Sequence, residues 1–264
     1  MAHGLEMVLA TSEASRGQIR ESVALSSSQG AGLAVRCNLV YMSDARSAWF
    51  SLPLPWRSAF EGAWASWRAG SGGVGAVITG PDGAIIATGQ NRIMDPPGSP
   101  GPLARTLMAH AEMNALASLP GGPLAGTCEP HALYTTFEPC LMCAATIIGT
   151  YGIPEVAFAS YDPTWDGLHR AFRQYPVIAD RLPERKHLGG PYGTLAYVIH
   201  ITGMLRYWPG PYEPHDRLAP ARIARCRQLV RHGTLTRLLE AGADVVDVAA
   251  ALWDDLEELA DPAS

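Results

Sequence analysis

Two short motifs in the sequence carry side chains that can hold a metal ion. The first is His110-Ala111-Glu112, and the second is Pro-Cys-Leu-Met-Cys at 139–143. Zinc binds nitrogen and sulfur ligands in tetrahedral geometry, and a catalytic zinc site uses three protein ligands and leaves the fourth position to water. His110, Cys140 and Cys143 supply three ligands of these types. The motifs therefore predict a catalytic zinc site.

The placement of the cysteines and of Glu112 indicates what this site can do. Cys140 and Cys143 share one helical face, and in a first helical turn the positive end of the helix dipole favours thiolate over thiol. Glu112 follows His110 by two residues, so its carboxylate is expected to lie near the ion without binding it. A carboxylate beside an activated water can take its proton and transfer it to a leaving group. Hydrolytic removal of an amino group from an aromatic ring suits these parts.

A Cys-x-x-Cys pair alone is also found in redox sites and in structural zinc sites. A redox pair belongs to a thioredoxin-like strand-to-helix pattern and needs no upstream His-x-Glu, and a structural zinc site needs a fourth protein ligand. The presence of His110 and Glu112 favours the catalytic interpretation. The remaining cysteines lack ligand-like spacing and are predicted to be small buried residues; they are Cys37, Cys128 and Cys226.

The elements that must position these motifs alternate between helix and strand. Hydrophobic periodicity and turn residues predict a helix at 56–70, a hairpin turning at 81–83, a helix at 108–119, a strand at 132–137, a helix from Pro139 to 151 and a strand at 155–160. The proline is expected at the first helical position, where its missing N–H costs nothing. A strand–helix–strand unit implies a partly parallel sheet with helices on both faces. We therefore predict an α/β fold.

Three segments are expected along the chain. Residues 1–50 read as an irregular N-terminal extension, 51–178 as the zinc-binding core domain, and 179–264 as a helical C-terminal extension that packs on the core. The extension is predicted to contain about three helices, at 194–207, 219–240 and 243–259.

Length and composition are those of a globular chain. The 264 residues are 47% hydrophobic and 17% charged, which excludes a disordered or collagen-like chain. No apolar run approaches the roughly 18 residues of a membrane-spanning helix, and the first residues lack the pattern of a signal peptide. We therefore expect a cytoplasmic protein without a membrane partner. Five cysteines, an odd number, fit metal binding or free thiols better than a disulfide framework.

The charge of the chain argues against a general nucleic-acid binder. The formal net charge is −5, whereas such binders carry a positive field. One basic stretch contains Arg217, Arg222, Arg225, Arg227, Arg231 and Arg237. It could be an RNA-binding helix or a solvated face paired with the acidic residues at 244–258. We favour the second interpretation, because the acidic segment follows directly and cancels the field.

The sequence around the motifs resembles the cytidine deaminase-like superfamily of zinc deaminases. The His-x-Glu and Pro-Cys-x-x-Cys pair is the signature of these enzymes. Within the superfamily, Thr-Thr-Phe-Glu-Pro-Cys-Leu-Met-Cys at 135–143 is most similar to the branch of tRNA adenosine deaminases, guanine deaminase and small nucleoside deaminases. Gly89-Gln90-Asn91 is similar to the Gly-x-Asn segment that precedes the His motif in this branch. The resemblance covers roughly residues 55–170.

The resemblance implies a three-layer α/β/α sandwich with a five-stranded mixed sheet, one Zn²⁺ per chain and a homodimer. In such a site Glu112 would transfer protons, Asn91 would contact the substrate, and the backbone at Ala111 and Pro139 would orient its amino group. Asp162 and Trp165 follow the last core strand, where α/β proteins build ligand crevices, and are further substrate-binding candidates. The Pro-rich loop at 94–103 and the two extensions depart from the branch.

These observations predict a zinc-dependent hydrolase that deaminates a free nucleobase or nucleoside. Two alternatives stay open: a tRNA adenosine deaminase, and a non-catalytic interaction module in which zinc only stabilises the fold. The sequence leaves open whether the ring is a purine, a pyrimidine or a modified heterocycle, and whether a sugar or phosphate is attached. Arg92 and Arg105 are the candidates for contacting a phosphate.

Overall fold

A computed structural model describes residues 45–99, 101–120, 130–150 and 152–260 of the chain. Most of the predicted N-terminal extension, together with Cys37 and Cys128, lies outside the described residues. The first described residues, 45–51, are helical. Trp49 in this segment packs edge-on against Phe60, with ring centroids 6.1 Å apart. The end of the predicted extension is therefore part of the hydrophobic core.

The described chain contains five strands and a larger number of helices. The strands are β1 Gly75–Thr79, β2 Ile85–Gln90, β3 Ala132–Phe137, β4 Glu155–Ser160 and β5 Glu184–His187. The helices that accompany them are α1 Leu54–Arg68, α2 Ala111–Ala117, α3 Leu141–Gly149, α4 Leu168–Phe172 and α5 Pro176–Ala179, with a 3-10 turn at Pro163–Trp165. The helices of the C-terminal part are α6 Gly190–Leu205, α7 His215–Leu218, α8 Pro220–Arg231, α9 Thr234–Glu240, α10 Val245–Ala251 and α11 Trp253–Glu258.

The strands form one mixed sheet in the order β2-β1-β3-β4-β5. β1 is antiparallel to β2 and β3, whereas β3, β4 and β5 are parallel. The predicted five-stranded mixed sheet and α/β class are thereby confirmed. Because β3 and β4 are parallel, their carboxyl ends lie at the same edge of the sheet. The cysteine motif follows β3 there, and the segment 161–166 follows β4.

Helices cover both faces of the sheet, and two glycines allow their close approach. A Cβ atom at Gly75 would lie 2.0 Å from the carbonyl oxygen of Ala59 on α1, and one at Gly89 would lie 2.2 Å from that of Ala111 on α2. Gly89 pairs with Ala76, the neighbour of Gly75, so these two glycines face opposite sides of the sheet. α1 and α6 therefore form one layer, and α2 and α3 form the other.

The start of α3 differs from its prediction. The helix begins at Leu141, and Cys140 is the capping residue, with extended backbone angles of φ −65° and ψ 172°. Pro139 thus precedes the helix and is not its first residue, so this prediction is wrong. The Cys140 carbonyl accepts the first helical hydrogen bond, from the Ala144 N–H at 2.8 Å. Helical bonding therefore begins two residues later than the proline suggested.

The C-terminal part is mainly helical, as predicted, but its elements differ from the prediction. β5 lies beyond residue 178, so the sheet continues into the segment that was expected to be a mainly helical extension packed on the core. The helix predicted at 219–240 is interrupted at Gly233, which has a left-handed backbone (φ 60°). The one predicted at 243–259 is interrupted at Leu252. The predicted domain boundaries themselves stay a prediction.

The longest described helix, α6, has 16 residues and is buried along most of its length. Within the described ranges, no helix combines the length and the apolar character needed to cross a membrane. Basic residues of α8 pair with acids of the same region: Arg225 with Asp255, and Arg227 with Asp216. These pairs fit the interpretation of the arginine stretch as a solvated, charge-compensated face.

Candidate active site

The three predicted zinc ligands come together between α2 and α3. His110 caps the start of α2, Cys140 caps the start of α3, and Cys143 lies in the first turn of α3. The His110 Nδ1 atom is 3.5 Å from the Cys140 Sγ and 3.6 Å from the Cys143 Sγ. All three donor atoms lie within 4.8 Å of one another. One histidine nitrogen and two cysteine sulfurs at this spacing fit a zinc ion.

Asn114 holds the histidine motif in place. Its amide nitrogen donates to the carbonyls of Gln90 and His110, at 3.1 and 3.2 Å, and so joins the end of β2 to the start of α2. Its amide oxygen accepts from the N–H of Leu103, at 3.0 Å, which anchors the Pro-rich loop. One buried asparagine therefore connects the hairpin, the loop and the metal-binding residue.

The two cysteines differ in acidity. A hydrogen bond from Cys143, supported by His110, lowers the pKa of the Cys140 thiol to about 4. The same hydrogen bond raises the pKa of Cys143. The Cys140 thiolate is therefore ready to bind a cation. In the part of the chain that the structure describes, the cluster contains three donors and no fourth, which leaves a coordination position for a non-protein ligand.

Glu112 is almost completely buried beside this cluster, with 3% of its surface exposed. Its Oε1 atom accepts a hydrogen bond from the Thr135 hydroxyl at 3.0 Å, and its Oε2 atom is 3.4 Å from the Cys143 Sγ. Burial raises the pKa of the Glu112 carboxyl. A carboxyl group with a raised pKa binds a proton more readily than an exposed one, which suits a proton-transferring residue.

The cluster opens into a cavity of about 560 Å³. Its walls include Asn91, Ala111, Asp162 and Trp165, four of the five residues predicted to bind substrate. The fifth, Pro139, does not line this cavity; it lines a separate apolar pocket beside α3 and α4. The structure therefore places four of the five in the wall of the cavity that contains the metal-binding cluster, and Pro139 in the wall of the other pocket.

The orientation of Asn91 is determined by its own hydrogen bonds. Its amide oxygen accepts from the Ser71 hydroxyl and from the N–H groups of Gly72 and Ile93, at 3.2 to 3.4 Å. These three donors leave the oxygen no capacity to accept a further hydrogen bond. Among the described residues, none accepts a hydrogen bond from the Asn91 Nδ2 atom. Asn91 therefore presents its NH₂ group as a donor.

Asp162 is linked to the C-terminal part by a buried network. Its Oδ1 atom accepts from the N–H of Thr164 at 2.9 Å and lies 3.3 Å from Nε2 of His215, a residue of α7. His215 is 1% exposed, and its Nδ1 atom is 2.8 Å from the Tyr197 hydroxyl. The C-terminal part thus orients a carboxylate in the cavity wall.

The C-terminal part also lines the cavity directly, which was not predicted from the sequence. His200, Met204 and Tyr212 contribute to its walls, as does Glu138, which pairs with Arg185. A signal for His200 was available: it is a lone histidine within the apolar helix α6, and a buried polar residue is more informative than a buried apolar one. Met204 and Tyr212 gave no such signal, because apolar and aromatic residues on a helix usually indicate core packing.

The geometry agrees with comparisons to known proteins. Residues 56–160 match the family described as cytidine and deoxycytidylate deaminase zinc-binding region. A search of curated proteins gave no match. Among solved structures, a guanine deaminase from Bacillus subtilis is 30% identical, and the match covers 45% of this chain and 68% of that one, with a TM-score of 0.33.

Two other similar structures are less identical. A tRNA:A34 deaminase is 24% identical over 49% of this chain and 92% of that chain, with a TM-score of 0.39. A guanine deaminase from Nitrosomonas europaea is 24% identical over 52% of this chain and 78% of that chain, with a TM-score of 0.39. The assignment rests on the family match, which contains all three zinc donors, and on their geometry. Residues 56–160 therefore form a zinc-binding region of the cytidine and deoxycytidylate deaminase family.

Proposed function

We propose that the protein is a zinc-dependent hydrolase that deaminates a free nucleobase or nucleoside. The reaction converts an amino-heterocycle and water into an oxo-heterocycle and ammonia. The observation that carries this proposal is the position of Glu112, a buried carboxyl group 3.4 Å from a zinc-ligating sulfur at the wall of the cavity. The family assignment supports deamination, and the cavity supports a small substrate.

Each residue of the site has a separate role in the proposed reaction. When bound at His110, Cys140 and Cys143, zinc acidifies water so that a hydroxide nucleophile is available near neutral pH. Glu112 would take one proton from the attacking water and donate it to the ring nitrogen, and it would then take the second proton of the same water oxygen and pass it to the departing amine. A C–O bond forms and a C–N bond breaks, and the amino group leaves as ammonia. Thr135 positions Glu112 through Oε1, which leaves Oε2 for proton transfer.

Other groups orient the substrate in this proposal. The Asn91 NH₂ group donates to an acceptor on the ring or sugar, and the backbone at Ala111 and at the Pro139–Cys140 peptide contacts the amino group. Asp162 accepts a hydrogen bond, and Trp165 stacks against the ring. A cavity of about 560 Å³ lies within the range of roughly 300 to 1,000 Å³ typical of small-molecule sites.

A screen for ammonia release tests the proposal. Zinc-loaded protein is incubated with free bases, their nucleosides and their nucleotides, and ammonia and the oxo-product are measured. Turnover of a base or nucleoside is expected. Turnover of a tRNA anticodon stem-loop alone, with binding that weakens steeply with salt, would identify the RNA enzyme instead. Tightly held zinc without activity on any of these compounds would identify the interaction module.

The formal net charge of −5 and the paired arginines of α8 favour the small substrate over RNA.

We also propose a homodimer in the cytoplasm. Light scattering after gel filtration measures the mass, for which twice the chain mass is expected. Fractionation of the source cells measures the location.

A further inference from the structure

His200 is the one histidine of the cavity wall, within the described ranges, that does not belong to the zinc motif. It lies on α6, and its ring packs against Phe137 at the end of β3, with ring centroids 4.4 Å apart. The ring is thus held between the sheet and the cavity. No step of the proposed deamination uses it.

The hydrogen bond of His200 determines which ring nitrogen carries the proton. Its Nδ1 atom contacts the carbonyl oxygen of Gly72. A carbonyl oxygen only accepts hydrogen bonds, so Nδ1 must carry the hydrogen. Burial lowers the pKa of His200, which favours the neutral ring. A neutral imidazole with its hydrogen on Nδ1 has a lone pair on Nε2, so Nε2 is a hydrogen-bond acceptor.

This acceptor has no protein partner in the described part of the chain. Among the described residues, the His200 ring makes one hydrogen bond, through Nδ1. Nε2 is not one of the fully buried polar atoms that lack a partner. The side chain is half-buried and lines the cavity. Nε2 is therefore a fixed acceptor that a bound molecule can reach.

Gly72 orients Asn91 as well as His200. Its N–H donates to the Asn91 amide oxygen at 3.4 Å, while its carbonyl accepts from His200 Nδ1. Two side chains from distant parts of the sequence are thus held by one residue. One presents a donor, Asn91 Nδ2, and the other presents an acceptor, His200 Nε2. A donor and an acceptor that are both oriented by Gly72 at the wall of one cavity can pair with a ligand edge that has an acceptor beside an N–H group.

We propose that His200 is a substrate-binding residue whose Nε2 accepts a hydrogen bond from a ring N–H, while Asn91 donates to the neighbouring acceptor. This inference rests on the proposed deaminase function and narrows it. A free nucleobase has an N–H at the ring nitrogen that carries the sugar in a nucleoside, next to a ring nitrogen or a carbonyl oxygen. We assign the bound N–H to this nitrogen, so the substrate class is the free base, and attachment of a sugar removes the hydrogen that His200 binds.

Two substitutions separate binding from a structural role. His200→Asn keeps a donor for the Gly72 carbonyl but loses the acceptor at the Nε2 position. His200→Gln keeps an acceptor near that position but loses the donor to Gly72. His232→Asn, at an exposed histidine of the C-terminal part, is the matched control. Zinc content and Tm of each variant are measured first.

The kinetic test compares the best free base with its analogue methylated at the sugar-bearing nitrogen. The wild-type protein and the control should show a KM about 3- to 10-fold lower for the free base, the ordinary effect of one hydrogen bond. In His200→Asn this preference should disappear with kcat little changed, and in His200→Gln part of it should remain. Equal KM values for both compounds in the wild-type protein, or an unchanged preference in His200→Asn, would overturn the proposal.

A binding measurement that needs no turnover tests the role of His200 separately from the proposed deaminase function. In ¹⁵N-histidine NMR of the wild-type protein, with His200 assigned through His200→Gln, Nε2 should have the signal of an unprotonated nitrogen. Saturation with adenine, guanine or cytosine, whichever binds, should shift this signal towards that of a hydrogen-bonded nitrogen. A protonated Nε2, or a signal that no bound base moves, contradicts the inference. If the bases shift the signal but none is deaminated, the proposed function fails and the binding role of His200 stands.

Discussion

The zinc-binding region and the C-terminal part contribute to the cavity in different ways. The region at 56–160 supplies the metal ligands and also Glu112 and Asn91. Few residue types can perform the chemistry of these positions. The C-terminal part supplies His200, Met204 and Tyr212 and orients Asp162 through His215. We predict that the first region carries out the reaction and that the second adds contacts that select the substrate. Substitutions in the two regions should therefore have different kinetic signatures.

Removal of a zinc ligand should have the largest effect. Cys143→Ala leaves two protein ligands, so bound zinc and turnover should both fall to background. Cys226→Ala is the matched control, because Cys226 is a buried thiol of α8 outside the metal cluster. Zinc is measured by elemental analysis of the purified proteins. Stoichiometric zinc in Cys143→Ala, or loss of zinc in the control, would contradict the assignment of the ligands.

Glu112→Gln should separate metal binding from turnover. The amide keeps the volume of the side chain but cannot take up a proton, so kcat should fall about 10²- to 10⁴-fold while zinc content stays unchanged. The exposed Glu61 of α1 provides the control Glu61→Gln. Ammonia release and zinc content are measured on the same preparations. A kcat for Glu112→Gln close to that of the control would refute its role in proton transfer.

Asp162→Asn tests the link between the two regions. The substitution keeps the shape of the side chain but weakens its contacts with His215 and with a bound donor, so KM should rise about 5- to 10-fold and kcat should change little. Asp166→Asn, at an exposed residue four positions later, is the control. A fall in kcat at unchanged KM would place Asp162 in the chemical step and would contradict the expected kinetic difference between the two regions.

An ion pair far from the cavity should have the smallest effect. Arg225→Ala removes the pair with Asp255, whose side chains are each 30% exposed. Such pairs contribute at most about 1 kcal/mol, which corresponds to a Tm decrease of up to about 4 °C in a chain of this size. The kinetic constants should not change. Scanning calorimetry gives the Tm, and a large loss of activity would show that this surface takes part in catalysis or substrate binding.

The sequence predicted four of the five strands and the metal cluster because these features depend on local patterns. Zinc accepts few ligand types, so His110, Cys140 and Cys143 stand out by identity and spacing. The parallel strands at 132–137 and 155–160 are short apolar runs separated by a helix, and their bounds match β3 and β4. Glu112 was placed beside the metal ligands by its distance along the chain.

The remaining features depend on tertiary contacts that a single sequence does not contain. The periodicity of α6 is that of any buried helix, and the contact of His200 with Gly72 joins positions 128 residues apart. The predicted start of α3 at Pro139 followed the usual preference of proline, whereas the extended backbone of Cys140 moves the first helical residue to Leu141. Gly233 was a local signal for the break between α8 and α9, and the helix prediction ran through it.

The central claim is that three protein atoms hold one zinc ion and leave a position open beside Glu112. X-ray absorption at the zinc edge of the zinc-loaded protein tests this most directly. We expect two sulfur ligands, one imidazole nitrogen and one oxygen from an exchangeable water. A third sulfur, or a second imidazole in place of that water, would close the coordination sphere and contradict the hydrolase.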